Sequence, residues 1–352
     1  MAKKAENVIV GISIGDLNGV GPEVVLKTFE DTRMTEFCTP VIFANVKIIS
    51  FIKKALNLNC NVHGIDKLDQ LVPGKINVLN VWKEGVNIEF GKNDDVVGGY
   101  AVKSFVAAVD ALKQKQIDVL VTAPINKYNI QSDEFKFPGH TDYLHQELEG
   151  DALMLMVNDG LRVGLLTDHV PVSEVAQHLN EELILKKIHT INKSLKQDFR
   201  INKPKIAVLG FNPHSGDNGV IGREDEDIIK PALKKLFDAG VLVFGPFSAD
   251  SFFGNGSYEK YDAVIAAYHD QGLIPFKTLS FGNGVNYTAG LSGIRTSPDH
   301  GTAYDVAGQG VADANSFKEA VYLALDVFHH REEYKEISKN PLKVREKQEE
   351  KK

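Results

Sequence analysis

Cysteine is nearly absent: Cys38 and Cys60 are the two in 352 residues, which excludes a disulfide framework and a cysteine-rich zinc site. Basic residues are in deficit, 40 Lys and Arg against 47 Asp and Glu for a formal net charge of −7. A nucleic-acid binder needs the reverse, a basic face. No apolar run approaches the ~18 residues of a membrane span. The first apolar stretch, Val8–Ile12, is short and soon reaches Asp16 without a small-residue cleavage site, so no signal peptide is expected and a cytoplasmic location is. Internal repeats and Pro-rich or Ser-rich linkers are also missing. What remains is an ordinary globular mixture, 43% hydrophobic and 25% charged, in a chain long enough for about two domains at roughly 150 residues each.

Eight short runs rich in Val, Ile and Leu read as buried strands: Val8–Ile14, Val41–Phe43, Ile76–Val81, Val119–Thr122, Leu161–Leu166, Ile206–Leu209, Val241–Phe244 and Ala263–Ala267. Near-continuous apolar runs suit a parallel sheet covered on both faces. Amphipathic stretches such as Ala101–Lys113, Val172–Leu179 and Glu224–Phe237 lie between them, and strand alternating with helix defines an α/β fold. The first strand runs into Gly15-Asp-Leu-Asn-Gly-Val-Gly-Pro-Glu23, where Pro22 suits a first helical position and the glycines a tight turn. Such a helix start is a plain turn or an anion-binding loop; it is not the G-x-G-x-x-G of a Rossmann site. From Pro341 to Lys352 the chain is highly charged and reads as a disordered tail.

Chemistry-bearing residues cluster just after the strands, where α/β sheets bind ligands. One run ends in Thr167-Asp168-His169, another in Asn212-Pro-His214, a third in Tyr268-His269-Asp270. A fourth, Val119–Thr122, ends in Ala123-Pro-Ile-Asn-Lys127, with Gly139-His140-Thr141-Asp142 beyond it. Three imidazoles suit a divalent metal with positions left open for substrate; the same histidines also suit separate hydrogen-bonded loops. The stretch from Gly282 to Gly308 reads as a loop in which Asn286 and Arg295, with Lys277 before it, could grip a phosphate or carboxylate.

Together, Gly15-Asp-x-x-Gly-Val-Gly-Pro-Glu, Val121-Thr-Ala-Pro-Ile-Asn-Lys, Gly139-His-Thr-Asp, Asn212-Pro-His-Ser-Gly, Gly245-Pro-Phe-Ser-Ala-Asp250, Tyr268-His-Asp-Gln-Gly and Arg295-Thr-Ser-Pro-Asp-His-Gly-Thr-Ala resemble the 4-hydroxythreonine-4-phosphate dehydrogenase family of pyridoxal phosphate biosynthesis, in the family's order. The resemblance implies the two-domain α/β/α fold of isocitrate and isopropylmalate dehydrogenases, one domain from 1–128 plus 280–340 and a second from 129–279 carrying dimer contacts. It implies a homodimer with shared active sites, an NAD or NADP cofactor, and one divalent ion (Zn, Mg or Co) on His169, His214 and His269, His169 coming from the other subunit. His140, Thr141, Lys277, Asn286 and Arg295 match positions that bind a phosphorylated amino-acid substrate, and His300, Gly301, Thr302, Ala303 and Asp305 a cofactor loop. Asp270 is the first choice for the proton acceptor, with Asp250 and Lys127 behind it. Two positions depart from the pattern: Asp168 stands where Thr is expected and Asp142 where Glu is commoner. Implied alternatives on the same fold are dehydrogenases of phosphorylated threonate or erythronate.

Overall fold

In the computed structural model, which describes residues 7–340, twelve strands build one mixed sheet. They are β1 (Val8–Ser13), β2 (Cys38–Ala44), β3 (Val62–Ile65), β4 (Ile76–Asn80), β5 (Val119–Thr122), β6 (Gly150–Val157), β7 (Arg162–Leu165), β8 (Ile206–Leu209), β9 (Val243–Phe247), β10 (Ala263–Ala266), β11 (Val285–Leu291) and β12 (Arg295–Pro298). Their order across the sheet is β3-β4-β2-β1-β5-β12-β11-β6-β7-β10-β8-β9. The expected tail, 341–352, lies outside the described residues. Among those residues no helix is long and apolar enough to cross a membrane.

All eight apolar runs form strands, and their continuous hydrophobicity has a simple cause. Strands β2, β5, β8 and β10 are buried along their whole length, because helices cover both faces of the sheet. Three helices begin where a side chain accepts a free N–H group, at Asn45, Asp94 and Asn180. Asp94 takes those of Val96 and Val97 at the start of the helix Asp95–Lys113, and Asn180 takes that of Leu183 before Glu181–Gln197. Each such cap contributes about 1 kcal/mol.

Two features differ from the sequence reading. The stretch read as a loop from Gly282 holds β11 and β12, which lie at the middle of the sheet. And the four strand ends do not share one edge. β5 is parallel to β12, but antiparallel pairings of β12 with β11, β11 with β6, and β6 with β7 then reverse the direction. β7, β10 and β8 are parallel to one another, so their ends, bearing His169, His269 and His214, point opposite to the end of β5. Lys127 and the segments bearing His140, His169 and His269 meet over the sheet's central face instead.

The loop after β1 is held by close approach. Gly15 has φ +70°, and a Cβ there would fall 2.3 Å from the Pro124 carbonyl; only glycine fits. Asp16 donates its amide to the same carbonyl at 2.9 Å, tying the turn to the end of β5.

Candidate active site

A cavity of about 300 Å³ lies over β6, β11 and β12, between the end of β5, the start of the helix His140–Glu147 and the helix His269–Ser280. Along β11, Val285, Tyr287, Ala289 and Leu291 are buried, while Asn286, from the alternate set, lines the cavity. The side chains of one strand thus serve core and site in turn. A larger open cavity, about 950 Å³, sits against Val157 and Val285, on the other side of the same strand pair. It contains none of the residues singled out from the sequence.

Arg295 forms the floor. It is 3% exposed, and its Nε and Nη2 donate to Thr122 Oγ1 at 3.0 and 2.6 Å, its Nη1 to Thr288 Oγ1 at 3.2 Å. No carboxylate pairs with it among the described residues, and burial pushes its guanidinium down to about 9. A buried cation without a counter-charge is costly. Nη2 also lies 3.1 Å from His140 Nδ1; arginine only donates, so Nδ1 accepts and the neutral ring carries its proton on Nε2. That Nε2 is buried without a partner. Burial, followed by the charges of Arg295 and Lys127, holds His140 well below its ordinary value, so the ring is neutral near pH 7. Asn286 Oδ1 and His300 Nε2 are further buried polar atoms lacking partners, and both residues line the cavity. Lys277 donates to the Asp299 carbonyl at 2.9 Å and has no acid bound to it among the described residues.

His169 and His269 stand on the opposite wall, ring centroids 5.8 Å apart in the same chain. His269 Nδ1 donates to Asp270 at 2.6 Å, an arrangement that fixes the ring and leaves Nε2 free. His169 is pulled below its ordinary value, first by burial and then by Lys127. Asp168 lies 3.4 Å from Lys187, and its second oxygen is buried without a donor.

His214 is not with them. It lies in the exposed turn Pro213–Gly219, where His214, Ser215, Gly216, Asp217 and Asn218 have φ between +42° and +78°. This unusual run is clamped by Asp225, which accepts from the Phe211 and Asn212 amides at 2.8 and 2.9 Å. Within one chain no group of three or more His, Cys, Asp or Glu that could hold a metal ion occurs among the described residues. The residues present fit part of a metal shell, two imidazoles, and a third has to come from elsewhere. Within the chain His169 faces His269, and His214 stands apart from both.

The remaining expected site residues divide. Lys127, Thr141, His300 and Gly301 line the cavity. Asp250 does not; it accepts from Ser248 Oγ at 2.7 Å, and that bond, with a smaller contribution from His214, keeps its carboxyl below the usual range. Thr302 packs on the glycine loop, its carbonyl accepting from Val20 N at 2.9 Å. Ala303 adopts φ +42°. Asp305 is exposed, its carbonyl accepting from Gln309. Sequence reading missed Thr122 and Thr288, which hold Arg295, and Tyr304, whose hydroxyl donates to buried Asp16 at 2.6 Å and joins the two loops. All three lie inside stretches that were singled out, but nothing in the sequence assigns them these partners.

Fold and cavity define an α/β protein with a pocket for a small, strongly anionic ligand beside a pair of oriented imidazoles. The comparisons with known proteins narrow this. Residues 36–324 match the family described as "Pyridoxal phosphate biosynthetic protein PdxA", and the chain belongs to that family. It is 46% identical over 336 residues to 4-hydroxythreonine-4-phosphate dehydrogenase of Bacteroides thetaiotaomicron, covering 95% of this chain and 92% of the relative. A relative in Oceanobacillus iheyensis with the provisional name D-threonate 4-phosphate dehydrogenase is 34% identical, covering 93% and 99%. The crystal structure of 4-hydroxythreonine-4-phosphate dehydrogenase from Klebsiella pneumoniae superposes with a TM-score of 0.80 at 30% identity, covering 93% of this chain and 99% of that one.

Proposed function

We propose that this chain oxidises 4-phosphooxy-L-threonine to 2-amino-3-oxo-4-phosphooxybutanoate with NAD or NADP, the product losing CO2 to give 3-amino-2-oxopropyl phosphate in pyridoxal phosphate biosynthesis. The observation that carries this reading is Arg295, a buried guanidinium with no carboxylate, surrounded by polar atoms that lack partners. A phosphate supplies the missing charge, and the remaining Nη1–H of Arg295, the His140 Nε2–H and Lys277 hold it by charge-assisted hydrogen bonds. Holding the substrate at this end aligns its C3 alcohol with the imidazole wall.

Lys127 Nζ takes the alcohol proton once it has given up its own, since an ammonium only donates. Of the three candidate acceptors it alone lines the cavity; Asp270 works through His269, and Asp250 lies outside. His169 and His269 would hold two positions of a divalent ion, with His214 of a second copy completing the set, so the active unit is a homodimer. The loop 300–305 would hold the dinucleotide. When bound, the ion makes the alcohol proton easier to lose and the nicotinamide accepts the hydride. The two parallel halves of the sheet then correspond to the two expected domains, 1–128 with 280–340 and 129–279.

The test is steady-state formation of NADH or NADPH with 4-phosphooxy-L-threonine against 4-phospho-D-threonate. The reading expects kcat/KM to favour the amino acid. The Oceanobacillus iheyensis relative supports the second substrate, and a higher kcat/KM for it rejects the assignment. The shared site is tested by mixing inactive His169→Ala and His214→Ala chains: regained activity supports a site built from two copies, and none rejects it.

A further inference from the structure

Charges around the cavity are unequal. Lys127, Lys277 and Arg295 face only two lining carboxylates, Asp142 and Asp299. Asp299 is turned aside: one oxygen accepts from Ser316 Oγ at 3.4 Å, and the other lies 2.5 Å from where a Cβ on Gly284 would be. The nearby acid pairs are Lys187 with Asp168 and His269 with Asp270; Asp142 enters neither, nor any other pair among the described residues. It projects from the first turn of the helix His140–Glu147, adjoining the two residues expected to touch substrate.

An unpaired carboxylate beside an anion pocket repels a ligand that is negative throughout. It favours one whose negative ends are accompanied by a positive group. We infer that Asp142 binds the α-ammonium of a zwitterionic phosphorylated amino acid, and so selects it over the matching hydroxy acid. The inference rests on the reaction proposed for this site and names the group by which that substrate is chosen. It gives Asp142, a departure from the family's commoner Glu, a role that touches substrate and not the metal.

The test uses two inert ligands of equal length, O-phosphohomoserine, which lacks the reacting alcohol, and 4-phosphooxybutanoate, which also lacks the amino group. Calorimetry on the full-length protein measures both dissociation constants for the wild type, Asp142→Asn and Asp142→Ser. A charge-assisted contact predicts that the wild type prefers the amino ligand roughly ten-fold or more and that both variants lose most of that preference. The inference is overturned if the wild type binds the two ligands equally, or if the variants keep its preference. The same holds if they weaken both ligands alike, which marks Asp142 as a support for His169. Turnover stands apart: faster oxidation of 4-phospho-D-threonate by the wild type rejects the proposed reaction, while the binding ratio still decides the role of Asp142.

Discussion

Arg331 and Arg295 are both buried guanidiniums against the same central strands, 9% and 3% exposed, and they have opposite surroundings. Arg331 reaches Asp198 through Nε at 2.7 Å and Tyr287 Oη through Nη2 at 3.0 Å. Tyr287 in turn donates to Asp198 at 2.7 Å, and Ser194 donates to the same carboxylate. Every charge there is answered, and although burial alone would depress Arg331, Tyr287 and Asp198 raise it above its ordinary value. Arg295 has hydroxyls and one imidazole, no anion, and is depressed to about 9. The first network joins the helices Glu181–Gln197 and Asn315–Ser338 to β11 and is complete without a ligand. The second has no anion among the described residues.

The comparison breaks most visibly in stability. Arg331→Met strands the buried carboxylate of Asp198, and loss of one partner of such a pair costs about 3–5 kcal/mol. The urea midpoint should fall accordingly, while turnover per folded molecule is retained. Arg295→Met should do the reverse. Removing a buried charge that lacks a partner leaves the midpoint unchanged or higher, and loss of the phosphate contact lowers kcat/KM by roughly 10²–10³-fold, about 3–4 kcal/mol. A variant that lost stability and kept activity would place Arg295 with Arg331 as a structural residue.

A smaller effect sharpens the contrast through pH. His140 in the folded chain stays neutral well below 6.5, mainly because it is buried, whereas the unfolded chain takes up a proton there near 6.5. The unfolded state then binds more protons, so stability falls as pH drops below 6.5, by up to about 1.4 kcal/mol per unit. His140→Asn, which still offers Arg295 an acceptor, should flatten that fall by about 1–2 kcal/mol between pH 7 and 5. Urea midpoints at the two pH values measure it, and an unaltered slope would mean that His140 takes up its proton in the folded chain as freely as in the unfolded one.

Eight strands were legible because burial leaves short, nearly continuous apolar runs. β3, β6, β11 and β12 were not read, and β11 shows why. Val285-Asn-Tyr-Thr-Ala-Gly-Leu291 alternates apolar and polar or small residues, a strand signal, but the residues facing the cavity make it look like a binding loop. β12 has no alternation to read: Arg295, Thr296 and Ser297 are all buried, and Arg295 and Thr296 bond to distant partners, Thr122 and the Ala320 carbonyl. His140, Lys277, Asn286 and Arg295, singled out by motif, line one cavity. They could not tell that His214 points elsewhere, since its position depends on a left-handed turn held by Asp225. Nor could they pair Asp198 with Arg331, 133 positions apart.

The most direct test of the central claim, that Arg295 is a cation awaiting a phosphorylated substrate, is thermal unfolding with and without O-phosphohomoserine. A ligand at 100 times its Kd stabilises by about 2.7 kcal/mol, so the wild-type Tm should rise, and that of Arg295→Met should not. Equal rises in both proteins would show that the phosphate is held elsewhere and contradict the account.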